Sequence, residues 1–461
     1  MGPTMVQQLA QFVCRASFAD LTDEPVRALK VRVLDSLGCA IGALDAEPIW
    51  MLRTHLEDFG GAPHCTLIGG GRSAPDRAAL YNGALVRYLD YNDSYLAKGE
   101  TCHPSDNVGA VLAASEYAGA GGKDFLAALA VAYQVQCRLS DVAPVRHKGF
   151  DHTTQGAYAA AAGVARALGL DAERAAHAIA ISGTAFNALR ITRTGTLSHW
   201  KGLAYPNTGF AATHAAFLAM RGITGPLQVF EGNKGFMDAI AGPFEIDWLG
   251  EGLDRVTRTI IKKYNAEIHS QSAVEGILDL QAEHGFAAGD IESIETEIFD
   301  VAYNIIGGGE EGDKTRIETK EAADHSLPYI VAVAVLDGEV TPAQYEPERI
   351  RSRDVQTLLR KVVVRPRDDY SARFPNEMPC HLTVRLRGGK VVESERDDYE
   401  GFFTRPMSWE SVVRKFERLS GVYVDAGLRH AIVSAVEGLE QVAVQDLAGL
   451  LERIPAPKGA R

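Results

Sequence analysis

Cysteine is scarce in this sequence. Six residues of 461, Cys14, Cys39, Cys65, Cys102, Cys137 and Cys380, are scattered along the chain, and no two form a Cys-x-x-Cys pair. That scatter leaves no signature for zinc or an iron–sulfur cluster and points to thiols that are mostly reduced and buried, so neither a metal nor a cofactor is expected. Long apolar runs are also missing. The longest, Phe125 to Tyr133 and Tyr329 to Leu336, are too short to cross a bilayer and read as buried helices. The first residues show neither a basic n-region nor an apolar h-region, so no export is indicated and the expected location is the cytoplasm. Basic charge is in deficit, with 47 Lys and Arg against 60 Asp and Glu and a formal net charge of −13. Such a balance disfavours nonspecific binding to nucleic acid or to an anionic membrane, while leaving room for a local cationic pocket that holds a small anion. Internal repeats and long low-complexity tracts are absent, which argues against a solenoid or a disordered chain.

What is present suffices for a large core. With 46% hydrophobic residues, the chain is long enough for two or three domains. Residues 1–260 are rich in alanine and leucine and are expected to be mostly α-helical, with residues 155–170 and 172–185 as the clearest helix pair. The small residues from Gly156 to Gly163 suit close approach of neighbouring helices. From about Ile260 the pattern turns to β-type alternation at residues 291–299, 362–366 and 381–387, and Gly388-Gly389 between two such runs predicts a hairpin. Helical spacing returns after Ser408-Trp409-Glu410, through Val412, Phe416 and Leu419, and again from Ala426 to Leu451. The expected division is a helical part over 1–260, an α+β part over 261–400 and a second helical part over 401–461.

The stretch richest in chemistry is Leu89-Asp90-Tyr91-Asn92-Asp93-Ser94, followed by Cys102-His103-Pro104-Ser105-Asp106-Asn107. It sets carboxylates, a hydroxyl and an imidazole between two expected helices, the first ending near Asp90 and the second running from Val108 to Tyr117 with Ser105 or Asp106 as its cap. Two further segments repeat the arrangement of a functional side chain just ahead of a helix. His152 precedes Thr153-Thr154, and Lys201 precedes Tyr205-Pro206-Asn207, which is expected to open a helix over 210–221. Lys262 and His269 fall near the expected domain boundary. Singly, each has a plain alternative: helix-start hydrogen bonding for His103, solvated surface positions for Lys201 and Lys262, and loop geometry for Asp90, Asp93 and the Asp151-His152 pair. Together they suit a polycarboxylate, with cations to bind carboxylates and an acid/base set to move a proton. The glycine clusters at 69–71 and 307–309 lack a following lysine in Walker spacing and read as turns.

These residues resemble the MmgE/PrpD family. The resemblance is carried by the two runs above, by Gly149-Phe150-Asp151-His152-Thr153-Thr154, Lys201-Gly202-Leu203-Ala204 and Ile261-Lys262-Lys263-Tyr264, and by Ala323-Asp324-His325-Ser326-Leu327-Pro328-Tyr329. It implies a mainly α fold, with a large all-helical domain built from both chain ends and a smaller inserted α+β lid, usually as a homodimer. It also implies a small-molecule polycarboxylate substrate and an active site with no cofactor, using Asp90, His103, His152, Lys201 and Lys262 in catalysis. Ser94, Lys201, Lys262 and His269 are expected to contact substrate, and Asp90 to orient His103. Local detail, notably Asn92 and the longer stretch before His103, is closest to the branch of the family that dehydrates 2-methylcitrate. The alternatives are a cis-aconitate decarboxylase-like reaction or an isomerase or epimerase acting on a related acid.

Overall fold

The computed structural model describes residues 2–195 and 197–456. The chain forms two compact units, one comprising Met1–Arg193, His199–Thr259 and Ser408–Arg461, the other Thr194–Ser198 and Ile260–Met407. The first is built from helices α1 (Met5–Arg15), α2 (Asp23–Gly42), α3 (Glu47–Phe59), α4 (Pro75–Tyr88), α5 (Val108–Ala118), α6 (Gly122–Val142), α7 (Thr153–Ala167), α8 (Ala172–Ala185) and α9 (Trp200–Met220). Two short antiparallel ribbons are inserted among them, β1 (Cys65–Thr66) with β2 (Arg72–Ser73) and β3 (Tyr95–Ala97) with β4 (Glu100–Cys102). The second unit holds helices α10 (Gln271–His284) and α11 (Leu327–Asp337) and strands β5 (Ile291–Ile298), β6 (Val362–Pro366), β7 (Cys380–Leu386) and β8 (Val391–Arg396). Chain-terminal helices α12 (Trp409–Ser420), α13 (Ala426–Glu437) and α14 (Val444–Glu452) belong to the first unit. The fold is mainly α with small sheets. Among the described residues no helix is long and apolar enough to cross a membrane.

Small side chains set how closely the helices of the first unit approach. A Cβ on Gly163 of α7 would stand 2.8 Å from Ala132 Cβ on α6 and 2.9 Å from Val111 Cγ2 on α5. Gly109 of α5 leaves a Cβ only 2.5 Å from the Gly83 nitrogen of α4, so these two helices meet backbone to backbone. The returning chain end packs by the same device, with Gly38 of α2 lying under Phe416 of α12. In the second unit the sheet order is β6-β5-β7-β8, with β5 parallel to β6 and antiparallel to β7. The hairpin expected from Gly388-Gly389 is β7–β8; both glycines have positive φ, 97° and 88°, which the turn needs and which glycine adopts without a Cβ clash.

Local expectations are corrected at three places. Helix α9 opens at Trp200 rather than at 210, so Pro206 lies inside it and Lys201 occupies its first turn. Proline forgoes one backbone hydrogen bond there, and Pro206 is buried, with a Cβ on Gly83 of α4 only 3.6 Å away; tertiary packing overrides the local break. The span 426–451 is two helices, α13 and α14, interrupted after Gly438 by a short 3-10 turn. Ser105 and Asp106 do not cap α5: residues Pro104–Asn107 form a 3-10 turn that runs directly into it, and both side chains are engaged elsewhere. The close packing at Gly163 carries a test. Gly163→Ala should overpack the α5–α6–α7 junction and lower unfolding free energy by about 1–3 kcal/mol, read as a reduced midpoint in urea or thermal denaturation. An unchanged midpoint would show that the junction has room to give.

Candidate active site

The β3–β4 ribbon decides where His103 goes. Its register pairs Tyr95 with Cys102 and Ala97 with Glu100, closing through Gly99 at φ 86°. Ser94 and His103, nine positions apart in sequence, therefore flank the same end of the ribbon. The Ser94 hydroxyl lies 3.0 Å from His103 Nδ1, and the Asp93 carbonyl oxygen 2.8 Å from the same nitrogen. A carbonyl can only accept, so Nδ1 carries the hydrogen and the neutral ring keeps its lone pair on Nε2. The loop is held from beneath by Asp93, whose carboxylate accepts from the Ser105 backbone N–H at 2.9 Å and from the Tyr133 hydroxyl at 2.8 Å.

Asp90 follows the C-terminus of α4 in a left-handed conformation, φ 54°, unusual for a residue with a Cβ. Its carboxylate takes Arg87 Nη1 at 2.6 Å and Lys201 Nζ at 3.3 Å. Arg87, one helical turn earlier, also faces Asp106 Oδ2 at 3.6 Å, and Asp106 Oδ1 accepts from Asn92 Nδ2 at 2.8 Å. Lys201 is 4% exposed, so the surface alternative does not hold for it.

His152 immediately precedes α7. Its Nδ1 lies 3.1 Å from Asp151 Oδ1, while its Nε2 has no hydrogen-bond partner among the described residues and lies 3.9 Å from Asp106 Oδ2. Burial alone would raise the Asp151 carboxyl; Arg193, at 2.9 Å from Oδ2, together with His152 and Arg190, overcomes this and holds it well below the usual carboxylate range. An ionised Asp151 can only accept, so its contact favours a hydrogen on Nδ1 of His152 and leaves Nε2 to face Asp106. The two imidazoles meet edge to face with centroids 5.4 Å apart, and His152 stacks on Tyr205 at 6.0 Å. The Tyr205 hydroxyl is fixed by Asn107 and Gln136 at 3.0 and 2.9 Å.

The helical unit thus gathers five of the residues singled out in sequence, Asp90, Ser94, His103, His152 and Lys201. Lys262 and His269 lie in the α+β unit and are also buried, at 1% and 2% exposure, which removes the surface alternative for Lys262. The contacts of His269 form a second carboxylate–imidazole pair. Its Nδ1 lies 2.8 Å from Glu267 Oε1 and its backbone N–H donates to Oε2 at 2.7 Å. Burial opposes ionisation of Glu267, but His269, His325 and Lys262 outweigh it and bring the carboxyl down to about 2. Sequence reasoning missed Arg87, Arg193 and Glu267 and took Asp106 for a cap. A charge three residues before Asp90, at the end of the expected helix, was the available sign of Arg87; Arg193 reaches Asp151 across 42 residues, with no local signal.

Chemically, two buried imidazoles and a buried lysine can supply an acid, a base and an anion-binding cation within one cluster. The loop beneath them makes a pH prediction. Burial raises the Asp93 carboxyl to about 6, against the opposing hydrogen bonds from Ser105 and Tyr133. A carboxyl with a folded pKa above its unfolded value contributes stability that is complete below about 4 and lost as pH rises through about 6. Compared with Asp93→Asn, the wild type should therefore gain on the order of 2 kcal/mol of relative unfolding free energy between pH 7 and pH 4. Urea titrations of both proteins at the two pH values check this, and a pH-independent difference would refute it.

Known proteins share this framework. The MmgE/PrpD N-terminal domain matches residues 7–249 and the MmgE/PrpD C-terminal domain residues 264–441. The chain is 28% identical over 400 residues to 2-methylcitrate dehydratase of Salmonella typhimurium, spanning 78% of this chain and 79% of that protein. It is 29% identical over 396 residues to 2-methylcitrate dehydratase of Cupriavidus necator, covering 80% and 79%. To cis-aconitate decarboxylase of Mus musculus it is 25% identical over 463 residues, covering 95% and 90%. With the two domain models matched in order from residue 7 to residue 441, the chain belongs to the MmgE/PrpD family.

Proposed function

We propose that this protein is a lyase that removes water from a hydroxy-tricarboxylate, converting 2-methylcitrate to 2-methyl-cis-aconitate. The observation that carries this is the pair of adjacent imidazoles, whose Nδ1 atoms face the Asp93 carbonyl and the Asp151 carboxylate, in one cluster with a buried lysine. The elimination needs a base for the hydrogen on the carbon next to a carboxylate and an acid for the hydroxyl leaving the neighbouring carbon; the proton and the hydroxide depart as water overall. His103 serves as the base through Nε2, and His152 protonates the leaving hydroxyl. Lys201 binds a substrate carboxylate and offsets charge as it develops, with Asp90 setting its position. Ser94 supports the reading by its contact with His103. Lys262 enters as a carboxylate-binding group on the family resemblance, which also supports a homodimer and chemistry without an iron–sulfur cluster, and His269 enters with it on its burial and its pair with Glu267. The dehydratase relatives favour this reaction; the nearly full-length match to a decarboxylase supplies the alternative, loss of carbon dioxide from cis-aconitate.

Chelator-treated enzyme incubated separately with 2-methylcitrate, citrate and cis-aconitate, with products followed by proton NMR and headspace gas analysis, separates the two. Conversion of 2-methylcitrate to the unsaturated acid without gas is the expected outcome. Gas from cis-aconitate would replace the dehydratase with the decarboxylase. Within the dehydratase, His103→Gln should lower kcat by about 10²–10⁴-fold with an unchanged unfolding midpoint. Near-full turnover by a folded His103→Gln would remove His103 from the role of base.

A further inference from the structure

We propose that Arg193 is a positioning residue that ties the acid/base histidine His152 to the carboxylate-binding lysine Lys201. One guanidinium makes both connections. Its Nε donates to Asp151 Oδ2 at 2.9 Å and its Nη2 reaches Oδ1 at 3.4 Å, while Nη1 donates to the Lys201 backbone carbonyl at 2.8 Å. Arg193 is 8% exposed and Asp151 fully buried, so these are contacts in a largely dry environment, where a planar fork satisfies a carboxylate and a carbonyl together in a way that a single ammonium cannot. The carbonyl of Lys201 lies in the first turn of α9, and holding it fixes the start of the helix from which the Lys201 side chain reaches Asp90. On the other side, Asp151 sits between the guanidinium of Arg193 and the imidazole of His152. Its charge is divided between them, so Arg193 limits how strongly Asp151 favours the imidazolium form of His152.

Several groups face His152. Asp151 adjoins it in the chain, Asp106 faces it from the Pro104–Asn107 turn at 3.9 Å, and His103 and Tyr205 lie against its ring. Behind Asp151 stand Arg193 and Arg190, and behind Asp106 stands Arg87. Arg193 places its head group both on the carboxylate that faces His152 Nδ1 and on the backbone carbonyl of Lys201.

Two variants of the full chain test the assignment. In Arg193→Met, Asp151 loses the guanidinium from its carboxylate, and the His152 pKa, followed by imidazole NMR and assigned with His152→Gln, should rise by about one unit. In Arg193→Lys the charge beside Asp151 is kept and the fork is lost. His152 should then titrate near its wild-type value, while KM for 2-methylcitrate rises by about tenfold and kcat changes less, because Lys201 is displaced. An unchanged His152 titration in folded Arg193→Met overturns the proposal, and so does a wild-type KM in Arg193→Lys. Should the Met variant fail to fold, the Lys variant decides. The KM arm rests on the dehydratase reading and the titration does not: a wild type that turns over no tricarboxylate removes that reading and leaves Arg193 to be judged by His152 alone.

Discussion

A carboxylate taken out of water loses more solvation than a single ion pair returns, unless its remaining lone pairs are also met. At this cluster the helical unit buries Asp90, Asp106 and Asp151 close to three buried cations, Arg87, Arg193 and Lys201. Most of the cluster follows from that constraint. Each carboxylate is shared between partners on different segments, so the charges cannot be neutralised unless α4, the Pro104–Asn107 turn, the segment before α7 and the start of α9 all arrive together. The two histidines lie within this arrangement: the Asp93 carbonyl sets which nitrogen of His103 carries its hydrogen, and the Asp151 carboxylate faces Nδ1 of His152.

The same requirement explains how an irregular loop keeps an exact geometry. Asp90 holds a left-handed backbone against the steric preference of its Cβ. It is anchored on one side by Arg87 and Lys201. On the other, the next residue is held by the returning chain end: Lys415 of α12 donates to the Tyr91 carbonyl at 2.8 Å, lies 3.7 Å from the centroid of the Tyr91 ring, and pairs with buried Asp35 of α2 at 2.6 Å. A lysine from beyond residue 400 thereby fixes a loop near residue 90, which gives a physical reason for the chain end to fold back into the helical unit.

Family membership sets the framework without choosing the reaction, since a dehydratase and a decarboxylase both align with most of this chain. Both reactions need carboxylates bound and a proton moved, and the buried lysine and paired imidazoles suit that common part. The choice between expelling hydroxide and expelling carbon dioxide depends on where the substrate's leaving group stands relative to the two Nε2 atoms. That is a property of the bound complex.

By itself the sequence determined the class of each long element and the identity of most cluster residues. Apolar periodicity marked α4, α5, α7 and α8, paired glycines marked the β7–β8 turn, and unusual groupings of Asp, His and Lys marked the loops. These signals are local, set by spacing within one turn or one strand, and so survive in a linear reading. Only the tertiary structure decided what those residues do to one another. Helix α9 runs through Pro206 because α4 packs against it, and the β3–β4 ribbon forms around an unremarkable Lys98-Gly99 turn and brings Ser94 onto His103. Arg193 finds Asp151 and Lys201, and Asp106 abandons a cap for Arg87 and Asn92. Burial made that difference: a charged side chain enclosed in a helical core must take the partners that packing brings to it, and those partners come from distant parts of the chain.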